Sequence, residues 1–225
     1  MPAHSRRLVA LALFFTLGIA ANLMPTRAVA WGGDRGYVRD VYFAAGYERQ
    51  IDSRTCTAGA TAMMMNFLAG RDLGLSQRSI LRFEQPRDAL NDRVQRGSDP
   101  LGWSRAATYY SRYTGRPTIF RWETYGSEAG ALKAAAARIA RFGKPVGLVV
   151  AHGKHAVVMT GFISNRDPMR GDFRLLAIFT SDPYGARHVL TRAEDSPLNR
   201  YLELDATTTY DRLWYGRYII VAPQN

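Results

Sequence analysis

The order of helical and strand patterns along the chain predicts an α+β fold. Helix-period apolar spacing dominates up to about residue 143, and runs rich in β-branched residues dominate from Val146 onward. Helices that come before antiparallel strands are typical of folds in which helices pack on a sheet. We therefore expect N-terminal helices packed against a C-terminal antiparallel sheet.

The first helix is predicted around the sequence TAGATAMMMNFLA. Cys56, Ala60, Met63 and Phe67 recur at the spacing of one helical face and predict one buried stripe. Gly70 follows the last apolar residues and ends the helix. Cys56 therefore lies at the N-terminal end of a core helix.

Three further helices are predicted from capping residues. Serine and aspartate side chains accept hydrogen bonds from the free N–H groups of a first helical turn, and glycine commonly follows the last turn. On these signals the helices run from Ser76 toward Phe83, from Asp99 to before Gly115, and from Ser127 to Gly143, and Pro86 interrupts the first of them.

Short runs of β-branched and large apolar residues predict the strands. They cover residues 118–122, 146–151, 155–163, 175–181 and 217–222, and the glycine-rich and aromatic lead-in at 31–55 has room for one more. Residues 208–214 have the pattern of a helical turn. No repeat or linker divides residues 31–225, so we expect a single domain there.

Residues 1–30 have the pattern of a secretory signal peptide. Arg6 and Arg7 give a positive start, an apolar run follows from Leu8 to Leu23, and Ala28-Val29-Ala30 forms a small-residue cleavage site. The apolar run is short for a membrane span, although an uncleaved N-terminal anchor is the alternative interpretation. We expect export, with a periplasmic or extracellular location after removal of the signal peptide.

The chain is strongly basic. It has 30 lysine and arginine residues against 19 acidic residues, and without the three arginines of residues 1–30 the formal charge is +8. A basic surface favours anionic partners such as cell-wall polymers, membrane headgroups or nucleic acid. The basic residues are dispersed and no recognition motif occurs, so we expect no specific nucleic acid as partner; contact with an anionic cell envelope remains open. Oligomeric state is not predictable from these features.

Cys56 is the only cysteine in the chain. It cannot form an internal disulfide, and an unpaired thiol in an oxidising compartment is exposed to oxidation or mispairing. Burial as a structural thiol and use as a reactive group are the two explanations. The free N–H groups and positive dipole end of a helix N-terminus favour a thiolate.

Catalysis by a thiolate needs a base, and His155 is the preferred candidate. It begins the predicted strand 155–163, and His152, three residues earlier, is the fallback. His188 is a weaker choice because Arg187 beside it disfavours an imidazolium. A lone histidine at the start of a strand is often an ordinary structural residue.

A group that orients the base is predicted from a hairpin. If the strands at 155–163 and 175–181 pair around Pro168-Met169, His155 lies directly opposite Asp182. Asp182 is followed by Pro-Tyr-Gly, so a purely turn-forming role is the competing interpretation. Asn165 and Asp167 are alternatives at the other end of the hairpin.

Gln50 is the candidate donor for the oxyanion. Its side-chain amide, together with the backbone N–H of Cys56, would bind the negative charge that develops on a carbonyl oxygen under attack. Taken alone, a glutamine six residues before a cysteine is most often an exposed polar residue.

Together these residues resemble the papain-like cysteine peptidases related to the leader-removing peptidase domains of bacteriocin exporters, a family that also has stand-alone secreted members. The matching segments are QIDSRTCTAGATAMMMNFLAG, GKHAVVMTGF and SDPYG, and the similarity covers about residues 47–190. The resemblance implies a papain-like cysteine peptidase fold. It also implies that Gln50 contributes to the oxyanion hole, Cys56 is the nucleophile, His155 the base and Asp182 the orienting acid.

Two positions depart from the family pattern. Thr57-Ala58-Gly59 follows the cysteine where the family usually has glycine, proline and alanine, and a side chain at Thr57 would narrow the site or alter the oxyanion-hole backbone. Lys154 precedes His155 where a small residue is common, and its charge is expected to favour the neutral imidazole.

We expect an exported cysteine peptidase or amide hydrolase that forms a thioester acyl-enzyme on a peptide or amide substrate. No P-loop, Gly-x-Ser-x-Gly or His-Glu-x-x-His motif occurs, and nothing suggests a cofactor or a metal. Two alternatives remain. One is an inactive relative that binds peptide or envelope material, and the other is a transamidase or cell-wall peptide hydrolase that uses the same three residues.

Overall fold

The computed structural model describes residues 36–89, 97–185, 187–191 and 213–225 of the 225-residue chain. This part of the chain is an α+β fold with four α-helices and a seven-stranded antiparallel sheet. The predicted signal peptide lies outside the described residues, as does most of the predicted helical turn at 208–214. In chain order the elements are β1 (Tyr37–Asp40), α1 (Cys56–Ala69), α2 (Gln77–Glu84), α3 (Pro100–Tyr110), β2 (Phe120–Tyr125), α4 (Glu128–Phe142), β3 (Val146–Val150), β4 (His155–Ser164), β5 (Leu175–Ser181), β6 (Arg187–Thr191) and β7 (Tyr218–Pro223).

The central strand of the sheet is β4. Strand β5 pairs along one of its edges, and β3 and β1 pair one after the other along the other edge. Strands β7 and β2 extend the sheet beyond β3, and β6 extends it beyond β5. Every one of these pairs is antiparallel, as the order of the sequence patterns predicted.

Helices cover both faces of the sheet. Val158 and Val221 belong to the apolar core that α1 and α3 complete, whereas Val157 and Ile220, their neighbours in sequence, pack under α4. Successive side chains of a strand point to opposite faces, so strands buried on both sides are apolar at nearly every position. This explains the continuous apolar runs of β3, β4 and β7.

Helix α1 is buried all around rather than along one stripe. Every residue from Thr57 to Leu68 is buried, so the single stripe predicted from Cys56, Ala60, Met63 and Phe67 was too narrow. The sheet, α2 and α3 all pack against this helix. Alanine, glycine, threonine and methionine fill such a position because small and flexible side chains let several elements approach one helix.

The predicted helix caps are confirmed. Ser76 accepts a hydrogen bond from the N–H of Ser79, Ser127 accepts one from Gly130, and Asp99 accepts two from Leu101 and Gly102. Gly70 and Gly143 end α1 and α4 with a left-handed backbone. No helix in the described ranges is long and apolar enough to cross a membrane.

Tertiary pairing moves some strand boundaries. The strand predicted at 118–122 is observed as Phe120–Tyr125, because it pairs with β7 through Tyr125 and Tyr218. Strand β6 was not predicted, since its five residues form a strand only by pairing with β5 at the edge of the sheet. The lead-in at 31–55 contributes one strand, β1.

The predicted register of the β4–β5 hairpin is wrong by two residues. Val158 pairs with Ser181, whereas a turn centred on Pro168-Met169 requires Ser181 to face Ala156. The turn contains a 3-10 helix at 168–170. The pairing shifts by one residue between Met159 and Gly161 and shifts back between Ile163 and Ser164, so the offset from the predicted register is the same at both ends. Because the shift at both ends of the ladder is an even number of residues, the side chains there keep their face of the sheet.

Candidate active site

Cys56 is the first residue of α1 and is half-buried with a free thiol. Thr55 stands at the N-cap without a side-chain hydrogen bond to the first turn. The N–H groups of a first helical turn have no partner within the helix, and the helix dipole adds positive potential there. The sulfur therefore lies at the positive end of α1.

His155 and Asp182 form a direct hydrogen bond. His155 Nε2 lies 2.7 Å from Asp182 Oδ1, and both side chains are mostly shielded from solvent. Continuing the observed register by one residue places Asp182 opposite Val157. His155 and Asp182 are thus diagonal neighbours on one face, and this spacing is within reach of an imidazole. The predicted contact is present although the predicted register is not.

The imidazole of His155 also makes a hydrogen bond with the sulfur of Cys56, which favours the charged ring. Since Asp182 occupies Nε2, Nδ1 is the ring nitrogen left for the sulfur. Burial disfavours the charged ring, but the hydrogen bonds and negative charges of Asp182 and Cys56 outweigh burial and raise the pKa of His155 to about 9. The expectation of a neutral ring beside Lys154 was wrong, because the interactions with Asp182 and Cys56 give a net upward shift of the His155 pKa.

Asp182 is held in place from several sides. The N–H of Tyr184 donates to Oδ1 at 2.7 Å, and the hydroxyl of Tyr47 donates to the main-chain carbonyl of Asp182 at 2.9 Å. Burial raises the pKa of Asp182, but the hydrogen bonds from His155 and Tyr184 lower it by more, so the net shift of this pKa is downward. The carboxylate is therefore ionised across the neutral range.

Gln50 lies between the loop of Asp182 and the turn that leads into Cys56. Its N–H donates to the carbonyl of Pro183 at 2.8 Å, and its side-chain Nε2 donates to the carbonyl of Asp52 at 2.9 Å. The N–H and hydroxyl of Thr55, the residue before Cys56, bind the same carbonyl. One side-chain N–H of Gln50 remains for another acceptor. Its Oε1 is buried without a hydrogen-bond partner among the residues that the structure describes.

The hydroxyl of Thr57 is engaged in the packing of α1 against α2. Thr57 is buried, and its Oγ1 donates to Oε2 of Glu84 at 2.7 Å. Glu84 itself is fully buried, and burial raises its pKa to about 8. Thr57, which was expected to narrow the site, is therefore accommodated in the interior with its hydroxyl bound to Glu84.

Behind Glu84 lie two more buried carboxyl groups. Asp88 accepts hydrogen bonds from Ser98 Oγ at 2.7 Å and from the N–H of Asp99 at 3.1 Å. Burial and the negative charge of Asp99 raise the pKa of Asp88 to about 7. These carboxyl groups tie α2 to the N-terminus of α3.

The residues considered as alternatives to His155 and Asp182 lie on the turns of the sheet and on its edge strand. Asn165 and Asp167 cap the far turn of the hairpin, where they accept hydrogen bonds from Arg174 and Met169. His188 is exposed on the edge strand β6. His152 is in the β3–β4 turn with a left-handed backbone, φ 54°.

Two residues of the site were missed in the sequence. Tyr47 supports Asp182, and Gln77 binds the main chain beside Gln50. No local signal indicated either role, since both contacts join residues far apart in the chain. Within the described ranges, no group of three histidine, cysteine, aspartate or glutamate side chains is arranged to hold a metal ion.

Comparison with protein-family models, with curated proteins and with solved structures found no match to this chain.

Proposed function

We propose that the protein is an exported cysteine hydrolase of papain-like fold that cleaves peptide or other amide bonds through a thioester intermediate. The observation that carries the proposal is the shared imidazole of His155, which binds Asp182 Oδ1 through Nε2 at 2.7 Å and also binds Cys56 at the start of α1. A nucleophile, a base and a group that orients the base are the parts that acyl transfer by a thiolate requires. The proposal of export rests on the pattern of residues 1–30.

The papain-like fold is supported by the placement of these parts. The nucleophile begins a helix that is buried against an antiparallel sheet, and the base begins the central strand of that sheet. The acid follows the next strand, after Ser181. This is the order of parts that the resemblance implies.

The proposed reaction proceeds in two steps. The Cys56 thiolate bonds to the amide carbonyl carbon, and Gln50 and the N–H of Cys56 stabilise the oxyanion. When the C–N bond breaks, protonated His155 gives its proton to the leaving amine. His155 then removes a proton from water as the water attacks the thioester, and cleavage of the C–S bond releases the acid and restores the Cys56 thiolate beside protonated His155. A His155 pKa of about 9 means that the ring is mostly protonated at neutral pH, as the donor of a proton to the leaving amine must be.

The proposal is tested by alkylation of Cys56 with iodoacetamide at pH 7 and by hydrolysis of fluorescent casein. We expect His155→Ala to slow alkylation at least about tenfold and to abolish hydrolysis, since the general base contributes about that much or more. The matched control is His152→Asn, which keeps a residue that tolerates the left-handed backbone and should react like the wild type.

Equal alkylation of the wild type and His155→Ala would mean that the thiol is structural, and the binding-protein alternative would then lead. Loss of reactivity in His152→Asn but not in His155→Ala would assign the base to His152. Product analysis with an added amine separates hydrolysis from transamidation, because only a transamidase transfers the acyl group to the amine in preference to water.

A further inference from the structure

Gln77 is the first residue of α2, and its side-chain amide binds the main chain on both sides of Gln50. Nε2 of Gln77 donates to the carbonyl of Arg49 at 2.7 Å, and Oε1 accepts from the N–H of Ile51 at 3.1 Å. Gln77 is only 6% exposed. A buried amide is costly unless both its ends are hydrogen-bonded, and here both ends bind the same short segment.

The segment is held from its opposite side by the loop of Asp182. The N–H of Gln50 donates to the carbonyl of Pro183 at 2.8 Å. In an extended chain, the polar groups of successive residues point in opposite directions, so Arg49 and Ile51 face Gln77 while Gln50 faces Pro183. Gln77 thus takes the place of a neighbouring strand, and Gln50 is fixed between α2 and the residue after Asp182.

The first turn of α1 packs closely against the Gln50 segment. A Cβ added at Gly59 would lie 3.1 Å from Cβ of Pro183 and 3.6 Å from Cα of Gln50. It would also lie 3.5 Å from Oε1 of Gln77. Little room remains for the Gln50 segment to shift while Gln77 holds it, so its position relative to Cys56 depends on these contacts.

We propose that Gln77 is a positioning residue for the oxyanion-binding amide. It sets the main chain of Gln50, so that the side chain of Gln50 stays at the turn leading into Cys56 and presents an N–H to the tetrahedral oxyanion of acyl transfer. The inference rests on the proposed function and adds to it a residue that touches neither the substrate nor the Cys56–His155–Asp182 set.

Two reactions of Cys56 distinguish positioning of the oxyanion donor from general support of the fold. Alkylation by iodoacetamide displaces iodide at a saturated carbon and forms no oxyanion. Acylation by p-nitrophenyl acetate forms a thioester through a tetrahedral oxyanion and releases p-nitrophenol. Both reactions need the activated thiol, but only the second needs the oxyanion-binding amide.

The variants are Gln77→Ala and Gln77→Met, measured beside the wild type and His155→Ala. Methionine has nearly the length and volume of Gln77 but has no donor for the carbonyl of Arg49. The matched control is Gln85→Ala, because Gln85 follows the last residue of the same helix and donates its amide to the carbonyl of Gly97 at 3.4 Å.

We expect both Gln77 variants to lower the acylation rate at least about tenfold, approaching the loss seen when an oxyanion donor is removed, and to keep the alkylation rate within about twofold. Gln85→Ala should leave both rates unchanged. Wild-type acylation in the Gln77 variants would overturn the inference alone, as would an equal loss of both reactions in Gln77→Met. Equal acylation of the wild type and His155→Ala would overturn the proposed function and this inference with it.

Discussion

Thr57, the residue directly after Cys56, donates a 2.7 Å hydrogen bond from its hydroxyl to Oε2 of Glu84. Thr61, one turn later in α1, donates to the other carboxyl oxygen at 3.2 Å. Glu84 is fully buried, and its pKa of about 8 makes it mostly uncharged at neutral pH. The start of α1 is thus tied to an interior acid whose ionisation is coupled to the stability of the fold.

Replacement of Glu84 by glutamine should make stability less dependent on pH. The acid ionises near 4.5 in the unfolded chain but at about 8 in the folded protein. The wild type therefore loses stability as pH rises from about 4.5 to about 8, and the loss is complete above that range. We expect Glu84→Gln to have a flatter melting temperature between pH 5 and 9, and to be more stable than the wild type at pH 9.

The matched control for Glu84→Gln is Asp172→Asn, an exposed carboxylate paired with Lys133. The pKa of Asp172 is lowered from 3.8, so its titration falls below the range of the experiment. The prediction would be contradicted if the melting temperatures of the wild type and Glu84→Gln changed equally with pH over this range.

Replacement of Thr57 by valine should affect stability but not thiol reactivity. The change removes one donor from a buried carboxyl group, which costs about 1–3 kcal/mol of unfolding free energy. We expect iodoacetamide to alkylate Cys56 at the wild-type rate, since the hydroxyl faces α2. Thr61→Val removes the longer bond to the same carboxyl and provides the comparison. A large change in alkylation with Thr57→Val alone would place Thr57 in the reactive site.

Replacement of Asp182 by asparagine should lower the pKa of His155. The hydrogen bond and charge of Asp182 help to raise this pKa to about 9, and loss of a neighbouring opposite charge typically shifts a pKa by about 1–3 units. A histidine NMR titration of Asp182→Asn measures the shift, with the His155 signal assigned from its absence in His155→Ala. An unchanged pKa would exclude Asp182 as the partner that sets the charge of the ring.

The same variant should lose stability in a defined pH range. A raised histidine pKa contributes stability that is complete below 6.5 and is lost as pH rises through about 9. The lowered pKa of Asp182 contributes above 3.8 and is lost as pH falls through its folded value. The difference in melting temperature between wild type and Asp182→Asn should therefore be largest between about pH 4 and 6.5, and a difference that grows toward pH 9 would contradict this sign.

Replacement of Gly59 by alanine should reduce acylation without unfolding the protein. Alanine favours the helix by up to about 1 kcal/mol, but its Cβ would lie 3.1 Å from Cβ of Pro183 and displace the neighbours of Gln50. We expect a small net change in melting temperature and a several-fold lower rate with p-nitrophenyl acetate. Gly185→Ala is the control, since nothing lies within 4 Å of an added Cβ in the same loop. Equal rates in the two variants would show that the packing at Gly59 does not reach the site.

Local patterns in the sequence were sufficient to place the helices and most strands. Capping by Ser76 and Ser127, and the glycines that end α1 and α4, are interactions between residues a few positions apart. The same kind of local reasoning placed Cys56 at a helix N-terminus and His155 at the start of a strand. The proximity of His155 and Asp182 followed from the hairpin, and it survived an error in register because a shift of two residues preserves the face.

Other features were decided only by tertiary structure. The burial of α1 on every side depends on elements that surround it, and the pKa values of Glu84 and His155 depend on groups far away in the chain. The roles of Gln77 and Tyr47 are likewise contacts over long sequence separations, which no periodicity records. Sequence alone determined where the helices begin and end, because helix caps depend on local backbone interactions. The fold decided which groups meet and which lose water, because packing and desolvation act between elements.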